Sequence, residues 1–257
     1  MIHPTAIIHS GAELDEGVEV GPYCIIGDKV KIQKGTILKS HVVVEGPTRI
    51  GKDNEIHPFA SIGADPQDKK FDDDTESVLE IGDGNTIREY CSINRGTESG
   101  GGITRLGDHN WIMAYVHIAH DCIVGSNTIF ANNSTLAGHV TIDDFVILGG
   151  FSGVHQFCHI GAHAFTAISS VVVKDVPPFL MVSGNTAKPC GLNKEGLKRR
   201  GFTSEDINAI LSAYKTLYRQ SLTLNDAMEA LAPMAGDNQH VESFLTFLKS
   251  SHRGIIR

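Results

Sequence analysis

In the stretch AYVHIAHDCIVG, residues 114–125, His117 and His120 stand three apart and Asp121 directly follows the second. Three kinds of chemistry fit these residue types. Imidazoles can ligate a metal ion. A neutral imidazole can also take a proton from a hydroxyl, worth roughly 10²–10⁴-fold in rate. A neighbouring carboxylate would then hold its tautomer and stabilise the imidazolium. The third possibility is structural, two histidines hydrogen-bonded across a subunit contact on the face of a scaffold. What else the fold brings to the same place decides among them.

The fold is written in a repeat of six. Stepping by six from Ile2 gives Ile8, Leu14, Val20, Ile26 and so on to Ile62. The series resumes at Ile81, Ile87 and Ile93, and again from Leu106 to Val172. Of these 26 positions only Thr166 is not apolar, in a chain that is 41% apolar, so chance is excluded. Four residues after each comes a second slot of small or β-branched residues: Ala12, Val18, Cys24, Val30, Thr36, Val42, Thr48. Cys91, Cys122 and Cys158 fall in the same slot, which makes them small fillers and not ligands or nucleophiles. Cys190 lies outside the repeat. A period of six fits a short strand plus a turn, three of which close an 18-residue triangular coil. Stacked coils then pair as parallel sheets about 4.8 Å apart.

Two interruptions break the register, at about 63–80 and 94–105. Both are polar and predict loops leaving the coil, where function concentrates. The acidic run Asp72–Asp74 fits a solvated loop tip. DVPPF ends the repeat, and helical spacing follows, with Thr203–Asp206 as a capping box and Thr223–Asp226 as a second cap. The predicted organisation is a β-helical domain over 1–190 and a helical domain over 191–257.

Coil arithmetic then assembles a patch. Adding 18 to His120 gives Gly138, and 18 again gives Gln156; adding 18 to Asp121 gives His139. His117, His120, Asp121, Gly138, His139, His155 and Gln156 therefore gather on one edge. Gly138 has no side chain to crowd His120, and its N–H suits a tetrahedral oxyanion, a contact worth roughly 10²-fold or more.

Bulk properties narrow the partners. A net charge of −8 argues against nucleic acid. The N-terminus lacks a signal peptide's pattern, and no apolar run approaches the roughly 20 residues of a membrane span. Five cysteines without a CxxC pair suit reduced thiols in a cytoplasmic protein. Locally, Lys194, Lys198, Arg199 and Arg200 against Glu195 give +3, a patch suited to a diphosphate or to an acidic protein. An ordinary solvated helix face is the alternative.

The segments SHVVVEGPTRIG, NEIHPFASIG, PQDKKF, IREYCSINRGT, HIAHDC, LAGHV, VHQFC, DVPPF, EGLKRRGF and RGIIR run nearly end to end. With them the chain resembles the UDP-N-acetylglucosamine O-acyltransferases, hexapeptide-repeat enzymes of the first step of lipid A synthesis. The resemblance implies a left-handed parallel β-helix, against the right-handed rule for helical crossovers, because tight turns make these connections. It implies a cytoplasmic homotrimer with active sites in grooves between subunits, and no metal or other cofactor. The reaction implied moves a 3-hydroxyacyl group from acyl carrier protein to the 3-hydroxyl of UDP-N-acetylglucosamine. His120 matches the general base, Asp121 its partner and Gly138 the oxyanion donor. His117, His139 and Gln156 match substrate contacts; Asp68, Lys70, Asn193, Glu195, Arg199 and Arg200 match residues holding the sugar nucleotide. Ile168 falls where acyl-chain length is limited, and a bulky residue there implies a shorter chain.

Two residues depart from the family pattern near the sugar site: Asn94 replaces a frequent His, and Lys69 a common Leu. Other functions remain to be weighed. A related N-acyltransferase would carry an extra N-terminal domain, whereas hexads here begin at Ile2. A zinc hydratase of this fold would use three histidines across subunits, for which His117, His139 and His155 are the candidates. A purely structural trimer would need no basic helical domain.

Overall fold

The computed structural model describes residues 1–71 and 77–257, so Asp72–Asp74 lie outside the described residues. Strands of mostly two residues form three sheets of nine, eight and ten strands, each collecting every third strand of the coil. The result is a left-handed parallel β-helix. Register follows the 18-residue coil: Ile118 pairs with Leu136, Leu136 with Val154, and Val154 with Val172. Each such residue points inward and is buried, and full burial of an aliphatic side chain contributes about 1.5–3 kcal/mol. The polar exception, Thr166, is buried too, with its hydroxyl 2.8 Å from the Ser152 hydroxyl. Cys24, Cys91, Cys122 and Cys158 fill inner slots, and burial pushes the Cys122 thiol up to about 12.

The two inserted loops are shorter than the sequence pattern predicts. Val78–Ile81 and Ile103–Leu106 already lie in strands, paired with each other. Buried Arg95 ties the first loop down. It pairs with Asp65, donates to the Ser77 hydroxyl at 3.2 Å and lies 5.4 Å over the Phe71 ring.

Each coil turns three corners, six residues apart. His139, Phe145 and Phe151 mark successive corners, each with φ near +60°. After the last coil an antiparallel pair, Leu180–Ser183 with Lys188–Leu192, leads into α1 (Lys194–Arg199). There follow α2 (Ser204–Arg219), α3 (Leu224–Asp237) and α4 (Gln239–Ser250). The Thr203–Asp206 capping box opens α2 as predicted, and Thr223 caps α3. The C-terminal tail returns to the coil, where Asp175 and Ile255 form a parallel bridge.

Candidate active site

The patch inferred from coil arithmetic forms at the corner of His139. The His139 N–H donates to the His120 carbonyl at 3.0 Å, and the Phe157 N–H to the Gly138 carbonyl at 3.2 Å, which stacks the three coils. At φ +60° on the turn, Asp121 does not point away from its neighbour as strand residues do. Its Oδ2 lies 2.7 Å from His120 Nδ1.

The Asp121 side chain is wholly buried. A buried carboxylate needs donors, and the second loop supplies them. The Thr97 N–H donates to Oδ1 at 2.8 Å and the Thr97 hydroxyl to Oδ2 at 2.6 Å. The Asp121 N–H in turn donates to Thr104 Oγ1 at 2.8 Å. Thr97 and Gly100 were not signalled by the repeat, because they act from an insertion that has no periodicity.

His139 sets its ring edge-on to His120 at 5.2 Å and stacks on Phe157 at 4.4 Å. Burial lowers its pKa, with Asp121 and Asp68 opposing. His117 Nδ1 meets the Ser92 hydroxyl at 2.7 Å, and burial and then the His120 charge lower its pKa. Both rings are therefore neutral near pH 7 and can accept or donate one hydrogen bond to a substrate.

Gly138 is the crowded point. A Cβ there would sit 2.6 Å from His120 Cε1 and 2.8 Å from Nε2, so only glycine leaves the imidazole edge open. Its N–H has no hydrogen-bond acceptor among the described residues, a state it shares with the amides of His120 and Gln156 in its column. Gln156 is exposed one coil further on. His155 is tied up instead, its Nδ1 accepting from the Arg253 guanidinium at 3.0 Å.

Within one chain, among the described residues, His117, His139 and His155 do not converge as one group; the close set is His120, Asp121 and His139, with ligand atoms within 4.8 Å. Yet Asp121 already accepts two hydrogen bonds from Thr97 and contacts His120 Nδ1. This is an arrangement for orienting an imidazole.

The remaining predicted residues lie elsewhere. Asp68 is half-buried, takes the Lys70 N–H at 3.0 Å and is close enough for its charge to act on His139; Lys70 and Lys69 are exposed. Asn94 is buried, its amide donating to the Asp65 carbonyl at 2.8 Å where the first loop begins. Asn193, Glu195, Arg199 and Arg200 belong to the corner of Phe145. Asn193 caps α1 and donates to the His163 carbonyl at 3.0 Å. Glu195 pairs with Lys198 at 3.2 Å on the surface, which weakens the basic patch, and Arg199 is exposed. Arg200 is half-buried, 5.1 Å over the Phe145 ring. Ile168 is 70% exposed at the third corner, beside Ser169, whose N–H donates to Gly150 in the Phe151 turn. Within one chain these three sets occupy three different corners.

A parallel coil of hexads carrying a histidine–aspartate pair on one corner defines a hexapeptide-repeat transferase. Residues 103–138 match the family described as bacterial transferase hexapeptide (six repeats). Residues 175–256 match Udp N-acetylglucosamine O-acyltransferase, domain 2. The acyl-[acyl-carrier-protein]–UDP-N-acetylglucosamine O-acyltransferase of Thiobacillus denitrificans is 56% identical over 256 residues, covering 100% of this chain and 99% of that protein. The UDP-N-acetylglucosamine acyltransferase structure from Francisella novicida superposes with a TM-score of 0.98 at 46% identity, covering 100% of this chain and 94% of that one. That of Moraxella catarrhalis gives 0.97 at 44%, covering 100% and 99%. The chain belongs to the UDP-N-acetylglucosamine O-acyltransferase family.

Proposed function

We propose that the protein transfers a 3-hydroxyacyl group from acyl carrier protein to the 3-hydroxyl of UDP-N-acetylglucosamine, the first step of lipid A biosynthesis, with His120 as general base. The observation that carries the mechanism is the 2.7 Å contact of His120 Nδ1 with a buried Asp121 carboxylate. An ionised carboxylate only accepts, so Nδ1 carries the proton and the Nε2 lone pair is free. Nε2 borders the open space at Gly138. There it removes the sugar hydroxyl proton while the oxygen attacks the thioester carbonyl. The tetrahedral oxyanion is stabilised by the Gly138 N–H. Collapse breaks the carbon–sulfur bond, and the imidazolium returns its proton to the departing thiolate. The scheme uses no cofactor.

Family membership and the three-corner distribution of the site support assembly as a homotrimer. His117, His139, Gln156, Asp68 and Lys70 line one side of the proposed groove. Asn193, Glu195, Arg199 and Arg200 of a neighbouring copy face them and bind the nucleotide. The third corner is apolar and exposed: Tyr23, His41, Phe59, Tyr90 and Tyr115 stack in a column with centroids 4.9–5.1 Å apart, followed by Phe151 and Ile168. An apolar column of this length favours a protein partner or an acyl chain over water. Among the described residues no helix is long and apolar enough to cross a membrane.

The test is incubation with UDP-N-acetylglucosamine and 3-hydroxyacyl carrier proteins of graded length, read by mass spectrometry. One acylated sugar nucleotide is expected. No product from any chain length would defeat the proposal.

A further inference from the structure

We propose that Thr97 is a positioning residue for His120, acting through the Asp121 carboxylate. The rate consequence rests on His120 being the base; the titration consequence does not.

Among the described residues three donors can serve Asp121, and two of them come from this one residue. Thr97 donates through its N–H to Oδ1 at 2.8 Å and through its hydroxyl to Oδ2 at 2.6 Å. His120 shares that second oxygen at 2.7 Å. The loop is built around this grip. Thr97 caps the short 3₁₀ turn Glu98–Gly100, accepting the Gly100 N–H at 3.2 Å on its hydroxyl. The Gly102 N–H returns to the Thr97 carbonyl at 2.8 Å. Gly100 lies so close to the carboxylate that any Cβ would overlap Asp121 Cγ. The loop therefore closes over the carboxylate, and the side chain is wholly buried.

In such a site the negative charge is apportioned among its hydrogen bonds. The Thr97 hydroxyl draws charge from the oxygen that His120 uses. It also fixes where that oxygen stands, and so the plane of the imidazole. Removing the hydroxyl leaves His120, among the described residues, as the only side chain hydrogen-bonded to Oδ2, with His139 Nε2 3.7 Å from the same oxygen. The imidazolium is then better stabilised and the ring less well held. The other charged or titratable groups around this corner are His117, His139 and Asp68, all unaltered by the change.

The experiment is an NMR titration of the His120 imidazole, assigned with His120→Gln, in the full-length protein and in Thr97→Val, Thr97→Ser and Thr97→Ala. Thr97→Val keeps the shape and removes the hydroxyl; Thr97→Ala serves if the valine variant does not fold. The His120 midpoint is expected to rise by about half a unit or more without the hydroxyl and to return with serine. Transfer by Thr97→Val should fall about tenfold in kcat with KM within about twofold. An unmoved midpoint in the hydroxyl-free variant, or a serine variant as displaced as it, would overturn the inference. A midpoint that moves while kcat does not would uphold Thr97 as the positioning residue and count against His120 as the base.

Discussion

Replacing Asp121 by Asn tests the tautomer logic with the fewest changed atoms. The Thr97 backbone N–H is a fixed donor, 2.8 Å from Oδ1. The asparagine carbonyl must therefore take the Oδ1 place, because its NH₂ there would meet another donor. The NH₂ then occupies the Oδ2 place, 2.6 Å from the Thr97 hydroxyl and 2.7 Å from His120 Nδ1. The hydroxyl can rotate to accept. The imidazole can accept only by moving its proton to Nε2, which removes the lone pair facing Gly138. The fold loses no volume, yet the base is in the wrong form. The expected loss is the general-base contribution, about 10²–10⁴-fold in kcat, or about 3–5 kcal/mol of transition-state stabilisation. KM for the sugar nucleotide should stay within about twofold. Initial rates with saturating 3-hydroxyacyl carrier protein measure it, with a thermal melt to show that the variant folds. A folded Asp121→Asn enzyme within about threefold of wild-type kcat would refute the reasoning.

Gly138→Ala should lower kcat by about 10²-fold or more, since its Cβ would stand 2.8 Å from His120 Nε2 and displace the ring; initial rates at saturating substrates measure it. Ile168→Gly should move the preferred acyl chain longer in a competition among carrier proteins of graded length, read by product mass. Stability should fall on acidification between about pH 6.5 and 4. Burial, then Arg200 and His240, push the His163 pKa down to about 4, so in that window the unfolded chain binds a proton that the folded one refuses. His117 and His139 shift in the same direction, so His163→Gln should reduce the slope of melting temperature against pH without abolishing it.

Much of the scaffold was legible because one physical demand, an apolar residue at each inner strand position, repeats at constant spacing. From it followed the coil, the parallel register and the meeting of His120, Gly138 and His139 at one corner. Asp121 was harder to place: alternation along a strand points neighbours apart, and only the positive φ of the turn turns its carboxylate to His120. Thr97 and Gly100 were invisible because their loop obeys no period. Local charge also did not reveal that Arg200 lies half-buried over the Phe145 ring. The histidine trio considered for zinc does not meet within one chain, where His155 is held by Arg253, ninety-eight residues away in sequence.

The most direct measurement compares acyl transfer by wild-type protein and His120→Ala, at pH 7–8, with UDP-N-acetylglucosamine and its preferred 3-hydroxyacyl carrier protein, and locates the acyl group by NMR of the product. The account predicts an ester on the sugar 3-oxygen and a loss of about 10²–10⁴-fold in the variant. An undiminished rate in a folded His120→Ala protein, or acylation at another position, would contradict it.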